Sequence, residues 1–216
     1  MCGIVGYIGK AENSPELPRA LERLRARGPD ASGTWASPDG RVTLGHTRLA
    51  IIDLSQTGAQ PMCDEATGNV IVFNGEVYNH PELRRELEQL GVVFHGHSDS
   101  ETLLRAYGVW GTALFPRLRG MFAFAIYNAR SSEVVLCRDR LGIKPLYTAT
   151  TGQGATVFAS EVRALLPWVG ARISAAGVAA YLQRGSCPHG RLLFEDIEEF
   201  PAGCWAAVRP GDAIRP

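Results

Sequence analysis

The segment MFAFAIY, Met121–Tyr127, decides the fold class. Alternation along a strand places Phe122, Phe124 and Ile126 on one face, and Met121, Ala123 and Ala125 on the other. A strand that is apolar on both faces is covered on both sides. The turn residues Arg130-Ser131-Ser132 lead into Val134–Arg138, and this predicts a hairpin. Tyr147–Thr150 with Thr156–Ala159 predicts another. Covered antiparallel hairpins predict an α+β layered sandwich.

The elements before this segment are predicted from apolar periodicity. Ile4–Gly9 is predicted to be a strand, and Pro15–Arg25 a helix with leucines on one face. Two β-rich segments, Val42–Leu44 and Leu49–Ile52, are separated by the polar Gly45–Arg48. The chain therefore mixes strands and helices without a regular alternation.

The next elements are predicted from turn and capping residues. Val70–Phe73 is a strand that runs into Asn74-Gly75, a strong signal for a tight turn. The following helix is predicted to begin at Asn79, with Glu82 completing a capping box. Another helix begins at Ser98–Glu101, which has the same capping-box spacing.

Composition favours a soluble, cytoplasmic protein that acts on a small molecule. The 216 residues include 22 Lys plus Arg and 22 Asp plus Glu, so the net charge of +0 predicts binding to neither nucleic acid nor an anionic membrane. No apolar run approaches the ~20 residues that a membrane span needs. An odd number of cysteines without a CxxC spacing predicts a reducing compartment. The five are Cys2, Cys63, Cys137, Cys187 and Cys204.

Cys2 directly follows Met1 and is a candidate nucleophile. Removal of Met1 would leave a thiol and a free α-amine on one residue. An α-amine has a pKa of roughly 7.7 to 8.0, so part of it is unprotonated at neutral pH and can act as a base for the thiol. The alternative is a small buried residue that opens an edge strand.

Four polar clusters accompany Cys2: Arg27-Gly28-Pro29-Asp30, Gly45-His46-Thr47-Arg48, Asn74-Gly75-Glu76 and His97-Ser98-Asp99. Each alone is explained as a turn, an edge arginine or a helix cap. Together they suit cleavage of the side-chain amide of a free amino acid. Arg48 can hold the α-carboxylate, and Glu76 and Asp99 can hold the α-ammonium. The amide of Asn74 and the N–H of Gly75 can form an oxyanion hole.

Eight motifs also occur in an order that matches one family. They are Cys2–Gly6, Arg27–Asp30, His46–Asp53, Phe73–Asn79, Ser98–Glu101, Leu118–Ala125, Arg138–Tyr147 and Phe158–Glu161. The chain resembles the N-terminal glutaminase domain of asparagine synthetase, a class II glutamine amidotransferase. Pro29, Leu49 and Phe73 favour this branch over the hexosamine-phosphate synthases. The resemblance implies an N-terminal-nucleophile (Ntn) hydrolase fold, a four-layer αββα sandwich with two mainly antiparallel sheets.

The resemblance also implies a reaction and a role for each site residue. L-Glutamine would be hydrolysed to L-glutamate and ammonia through a thioester on the nucleophile and base, Cys2. Asn74 and Gly75 would form the oxyanion hole. The implied substrate ligands are Arg48, the backbone of Ile51 and Ile52, Glu76 and Asp99.

The resemblance covers residues 2–203, which are predicted to be the glutaminase domain. Residues 204–216 would be a C-terminal tail or the start of a synthetase domain. The Ser-Gly-Gly-x-Asp-Ser pyrophosphate-binding loop of that second domain does not occur here, so ATP and Mg are expected only in the missing domain. No cofactor or metal is predicted in this chain, because His95-Gly96-His97 lacks a third ligand.

The destination of the ammonia stays open. The partner that receives it is predicted to be an attached or separate ATP-dependent synthetase domain, and a homodimer is compatible with the sequence. The alternatives are a stand-alone glutaminase that serves a specialised-metabolite synthetase, an Ntn hydrolase acting on another amide, and a catalytically silent glutamine-sensing module.

Overall fold

The computed structural model describes residues 1–9, 14–50, 56–187 and 192–215, and within them the strands form two antiparallel sheets. The first sheet contains β1 (Gly3–Ile8), β2 (Ala31–Ala36), β3 (Val42–Arg48), β8 (Tyr147–Thr150), β9 (Thr156–Ala159) and β10 (Ile197–Glu199). Its strand order is β10-β8-β9-β1-β3-β2. The second contains β4 (Met62–Cys63), β5 (Val70–Val77), β6 (Gly120–Asn128), β7 (Glu133–Arg138) and β11 (Trp205–Val208). Its order is β11-β7-β6-β5-β4.

Helices cover the outer face of each sheet. The described helices are α1 (Leu17–Leu24), α2 (His80–Gln89), α3 (Asp99–Trp110), α4 (Val162–Val169) and α5 (Ala175–Arg184), with 3₁₀ segments at Gln56–Gly58 and Gly111–Arg117. Buried side chains of α1 and α4 pack on the six-stranded sheet. Those of α2 and α3 pack on the five-stranded sheet. A third apolar cluster joins the two sheets. The predicted four-layer αββα sandwich is therefore confirmed.

Both faces of β6 are apolar because each packs against a different layer of the molecule. Phe122, Phe124 and Ile126 contact the helical layer of the five-stranded sheet. Ala123 and Ala125 lie between the two sheets, where small side chains allow the sheets to approach. Burial of one large apolar side chain contributes roughly 1.5–3 kcal/mol, so this strand stabilises both interfaces at once. The predicted hairpins β6–β7 and β8–β9 are both present.

The predicted turn at Asn74-Gly75 is wrong. β5 continues through both residues, and its pairing with β6 runs without interruption from Val70 to Val77. Eight paired residues outweigh the local preference of Asn-Gly for a turn. The glycine is needed for a close approach: a Cβ on Gly75 would lie 2.2 Å from the Met121 carbonyl oxygen.

The polar segment Gly45–Arg48, which separates the two predicted β-rich segments, is itself part of a strand. These residues belong to β3, which pairs with β1 on one side and β2 on the other. Leu49 and Ala50 follow as irregular backbone, and the rest of the predicted strand, Ile51 and Ile52, lies outside the described residues. The strand accommodates these polar residues because Thr47 Oγ1 donates to the Leu24 carbonyl and His46 Nε2 bonds the Phe73 carbonyl.

The capping predictions are correct in part. The Ser98 hydroxyl accepts from the Glu101 N–H at 3.1 Å, as predicted, but the Glu101 carboxylate accepts from backbone N–H groups of the preceding loop. Asn79 occupies the cap position of α2 without a capping bond. Its side chain binds the Arg117 carbonyl and the Arg119 N–H. The helix α1 is shorter than the predicted Pro15–Arg25.

Beyond Gly203, the strand β11 adds an edge to the five-stranded sheet through β7. The predicted domain boundary at this point stays a prediction. None of the described helices combines the length and the apolar character needed to cross a membrane.

Candidate active site

Cys2 lies at the start of a central strand. β1 runs between β3 and β9, so the alternative that Cys2 opens an edge strand is wrong. Gly3 pairs with Thr47, and this register sets Cys2 opposite Arg48. The half-buried thiol lies 3.4 Å from the Leu49 backbone nitrogen, which donates to it, and 3.6 Å from the Leu49 carbonyl oxygen. The sheet thus fixes the position of the sulfur.

The loop Arg27–Asp30, between α1 and β2, holds the backbone around Cys2. Arg27 Nε donates to the Cys2 carbonyl at 2.9 Å, and Arg27 Nη1 pairs with Glu161 at 3.2 Å. The Asp30 carboxylate accepts from the Ala50 N–H at 2.9 Å. Gly28 permits the approach, since a Cβ there would lie 2.4 Å from the Thr47 backbone. The cluster is therefore more than a helix stop.

One cleft contains six of the predicted site residues. They are Cys2, Arg48, Asn74, Gly75, Glu76 and Asp99. The other two, Ile51 and Ile52, lie outside the described residues. The six come from the residue before β1, from β3 and β5, and from the start of α3, so the cleft opens where the two sheets and a helix meet.

The side-chain amide of Asn74 is buried in this cleft without a partner. Asn74 is 1% exposed, and its Nδ2 makes no hydrogen bond within the described part of the chain. An unsatisfied buried donor costs about 1–3 kcal/mol. Such a group is suited to an acceptor that a ligand brings, and a developing oxyanion is one.

Two side chains fix the peptide before Asn74. β4 pairs with β5 only as far as Ile71, so the N–H and carbonyl of Phe73 lack a strand partner on that side. Gln60 Oε1 accepts from the Phe73 N–H at 2.6 Å, and His46 Nε2 lies 3.2 Å from the Phe73 carbonyl. Together they replace the missing strand and hold Asn74 in place.

His46 performs this role as a neutral ring. Burial, together with the positive charge of Arg48, lowers its pKa to about 4, while its bond to Phe73 opposes this shift. A carbonyl can only accept, so Nε2 carries the proton and Nδ1 is left without a partner among the described residues. His46 is 0% exposed and lies between the sheets.

Charged groups of both signs line the cleft. Asp99 is buried at the start of α3, and its Oδ2 accepts from the Val77 N–H at 3.0 Å. Burial raises the pKa of this carboxyl, and the bond to Val77 opposes the change. Glu76 and Arg48 are half-buried in the same cleft. Arg48 and the two carboxylates suit the zwitterionic end of an amino acid.

Sequence reasoning missed three residues of the cleft. Gln60 precedes Pro61 in a loop and carries no spacing signal. Leu49 contacts the thiol through its backbone alone. Lys144 lies within a family motif, yet nothing in the sequence indicated that its side chain reaches Met1 Sδ at 3.4 Å. Among the described residues, no group of three or more His, Cys, Asp or Glu side chains could hold a metal ion.

Comparison with known proteins identifies the family. The family model described as a glutamine amidotransferase domain matches residues 1–215. The chain belongs to this family. A putative asparagine synthetase [glutamine-hydrolyzing] of Mycobacterium tuberculosis is 38% identical over 238 residues, which cover 100% of the chain and 36% of that protein. Asparagine synthetase B [glutamine-hydrolyzing] of Escherichia coli is 40% identical over 216 residues, covering 98% of the chain and 34% of that protein.

The chain thus spans about a third of the length of these amidotransferase relatives. The predicted resemblance is confirmed, and the chain is a glutamine amidotransferase domain homologous to the glutamine-hydrolysing asparagine synthetases.

Solved structures confirm the Ntn-type fold of this amidotransferase domain. A glutamine phosphoribosylpyrophosphate amidotransferase from Bacillus subtilis has a TM-score of 0.66 at 24% identity, over 76% of this chain and 43% of that one. An allosteric regulatory enzyme of purine biosynthesis has a TM-score of 0.74 at 21% identity, over 96% and 47%. At these identities the likeness concerns the fold.

Proposed function

We propose that this domain hydrolyses L-glutamine to L-glutamate and ammonia, with Cys2 as the nucleophile after removal of Met1. The observation that carries the proposal is the unpaired amide of Asn74, buried in the cleft that also holds the Cys2 thiol. A nucleophile that shares a cleft with a free, buried donor is the combination that attack on an amide carbonyl requires.

Substrate binding would use the charged groups of the cleft. Arg48 would hold the α-carboxylate of glutamine, while Glu76 and Asp99 would hold its α-ammonium. The backbone of Ile51 and Ile52 is proposed to contribute as well. These contacts orient the side-chain amide towards the thiol, and orientation itself lowers the barrier.

The chemistry would then proceed in two steps. The Cys2 sulfur attacks the amide carbon and its proton passes to the α-amine, while Asn74 Nδ2 and the Gly75 N–H stabilise the oxyanion. The carbon–nitrogen bond breaks, and the amine protonates the leaving ammonia. A γ-glutamyl thioester remains. Water, activated by the same amine, cleaves the thioester, and the proton returns to sulfur.

The ammonia would serve an ATP-dependent synthetase domain. The relatives carry glutamine-hydrolyzing asparagine synthetase in their names, and the chain matches only about a third of their length. We propose that the remainder of such a protein, or a separate chain, uses the ammonia for amidation. An asparagine-forming acceptor is the proposal that these names support.

Replacement of Cys2 tests the proposal. We expect the domain to release glutamate from glutamine and Cys2→Ala to release none while still binding glutamine in calorimetry, because Arg48, Glu76 and Asp99 remain. Cys63→Ala is the matched control, because that thiol is exposed and lies outside the cleft. Intact mass should show Met1 absent from the active enzyme. Turnover by Cys2→Ala, or full activity with Met1 retained, would contradict the mechanism.

A further inference from the structure

Lys144 is a nearly buried cation in the cleft, with 7% of its surface exposed. Its ammonium donates to Met1 Sδ at 3.4 Å, and within the described part of the chain no carboxylate forms an ion pair with it. A buried ammonium without a carboxylate is unfavourable, because burial removes the water that solvates it. Its position therefore calls for a function.

The loop after β7 fixes Lys144 in this position. The buried Asp139 carboxylate accepts from the Lys144 N–H at 3.0 Å, and the buried Arg138 Nε donates to the Lys144 carbonyl at 2.8 Å. Asp139 also accepts from the N–H groups of Leu141 and Ile143. Two buried charges thus hold one backbone segment, and the lysine side chain extends from it into the cleft.

The contact between Lys144 and Met1 limits the distance between the Lys144 ammonium and the nucleophile. The Met1 sulfur is five covalent bonds from the Cys2 nitrogen, so the ammonium, 3.4 Å from that sulfur, lies within about 10 Å of the nitrogen. When Met1 is removed, this nitrogen becomes the terminal amine. The space between the two groups is then vacated by the methionine side chain.

The charges around this amine come from several elements. They are Arg27 and Glu161, paired behind Cys2, and Arg48, Glu76, Asp99 and Lys144 in the cleft. Arg48, Glu76 and Asp99 are present in the wild type and in every Lys144 variant, so a comparison of these chains leaves their effect on the amine unchanged. Glu161 offsets the charge of Arg27 through an ion pair. The charge of Lys144 has no such offset among the described residues.

We propose that Lys144 keeps the terminal amine of Cys2 unprotonated at neutral pH and so maintains it as the base. This inference rests on the proposed function, since it requires the processed N-terminus. Repulsion between the ammonium and a protonated amine disfavours the latter. An unprotonated amine is the form that accepts the thiol proton. Lys144 is a positioning residue that acts through electrostatics and forms no bond with the reacting carbon.

The test is the pH profile of kcat/KM for glutamine with processed enzyme, checked by intact mass. In Lys144→Met, which keeps the length and loses the charge, we expect the acid limb to move to higher pH by about one unit. Lys144→Arg should keep the limb near the wild-type position. Arg140→Met is the matched control, because it removes a charge from the same loop at an exposed site outside the cleft.

The outcomes separate electrostatics from structure. An unmoved acid limb in Lys144→Met, or an equal shift in Lys144→Arg, would overturn the proposal. A higher KM with an unmoved limb would make Lys144 a substrate ligand and would also overturn it. Should Lys144→Met fail to fold, Lys144→Gln provides the same neutral test.

A second readout distinguishes this proposal from the proposed function. The rate of Cys2 alkylation by iodoacetamide against pH needs no glutamine and depends on the same amine. We expect Lys144→Met to shift this profile in the same direction. Absence of glutamine hydrolysis in the wild type would refute the proposed function, whereas an unshifted alkylation profile would refute the role of Lys144.

Discussion

His46→Gln tests whether a neutral imidazole joins the two sheets. The ring of His46 is fully buried and bonds the Phe73 carbonyl, next to the unpaired amide of Asn74. Glutamine keeps a donor of similar reach and removes the titration. The His46→Gln substitution should therefore keep the fold and change how the free energy of unfolding depends on pH.

The pKa of His46 determines how much folding stability the chain loses at acidic pH. Its pKa is about 4 in the folded chain and 6.5 ordinarily, and this gap corresponds to about 3.4 kcal/mol. The unfolded chain binds the proton first as the pH falls. Stability is therefore fully present above 6.5 and is lost progressively towards 4. Near pH 5 the loss is about 2 kcal/mol.

Urea unfolding near pH 7.5 and near pH 5 measures this effect. The wild type should lose about 2 kcal/mol more than His46→Gln between the two conditions, because carboxylates such as Asp99 titrate equally in both chains. The control His95→Gln removes an exposed histidine and should leave the wild-type loss unchanged. Equal losses in the wild type and His46→Gln would refute the assignment of a neutral, buried His46.

Three further predictions concern the cleft. Asn74→Ala should lower kcat roughly 10²- to 10³-fold with little change in KM, whereas Arg48→Ala should raise KM more than it lowers kcat. Steady-state kinetics measure both effects. A rise in KM alone for Asn74→Ala would make Asn74 a substrate ligand. Gly75→Ala should destabilise the domain by about 1–3 kcal/mol in urea unfolding and reduce kcat, because the added Cβ would clash with the Met121 carbonyl. A variant as stable as the wild type would show that β5 and β6 can move apart without cost. ATP with aspartate should leave the glutaminase rate of this chain unchanged, because no pyrophosphate-binding loop occurs in its sequence. A several-fold rise in that rate would reveal a nucleotide site that the sequence does not indicate.

The fold was largely predictable because its main signals are local. The doubly apolar β6 and the two hairpins carry their pairing in neighbouring residues. The turn assigned to Asn74-Gly75 failed for the opposite reason. Its strand conformation is set by β6, more than forty residues away in the sequence, and no local window contains that information.

The site was predictable to the extent that short motifs carry it. Six of the eight predicted residues share one cleft, and their individual roles stay predictions. Gln60 and Lys144 were missed because their side chains act through tertiary contacts, Gln60 with Phe73 and Ser100, and Lys144 with Met1. A contact between residues that are distant in the sequence leaves no period or spacing in it.

The central place of β1 has a consequence for how the domain folds. β1 is made first during synthesis, yet one of its two neighbours is β9, where Val5 pairs with Ala159. The Ile4 N–H also donates to the Ser160 hydroxyl, which lies 156 residues later in the sequence. Such distant contacts raise contact order and slow folding, because a long loop must close before they form. On the ribosome, the candidate nucleophile stays at an unpaired strand edge until most of the chain has emerged. Onset of catalysis would therefore report the last steps of folding.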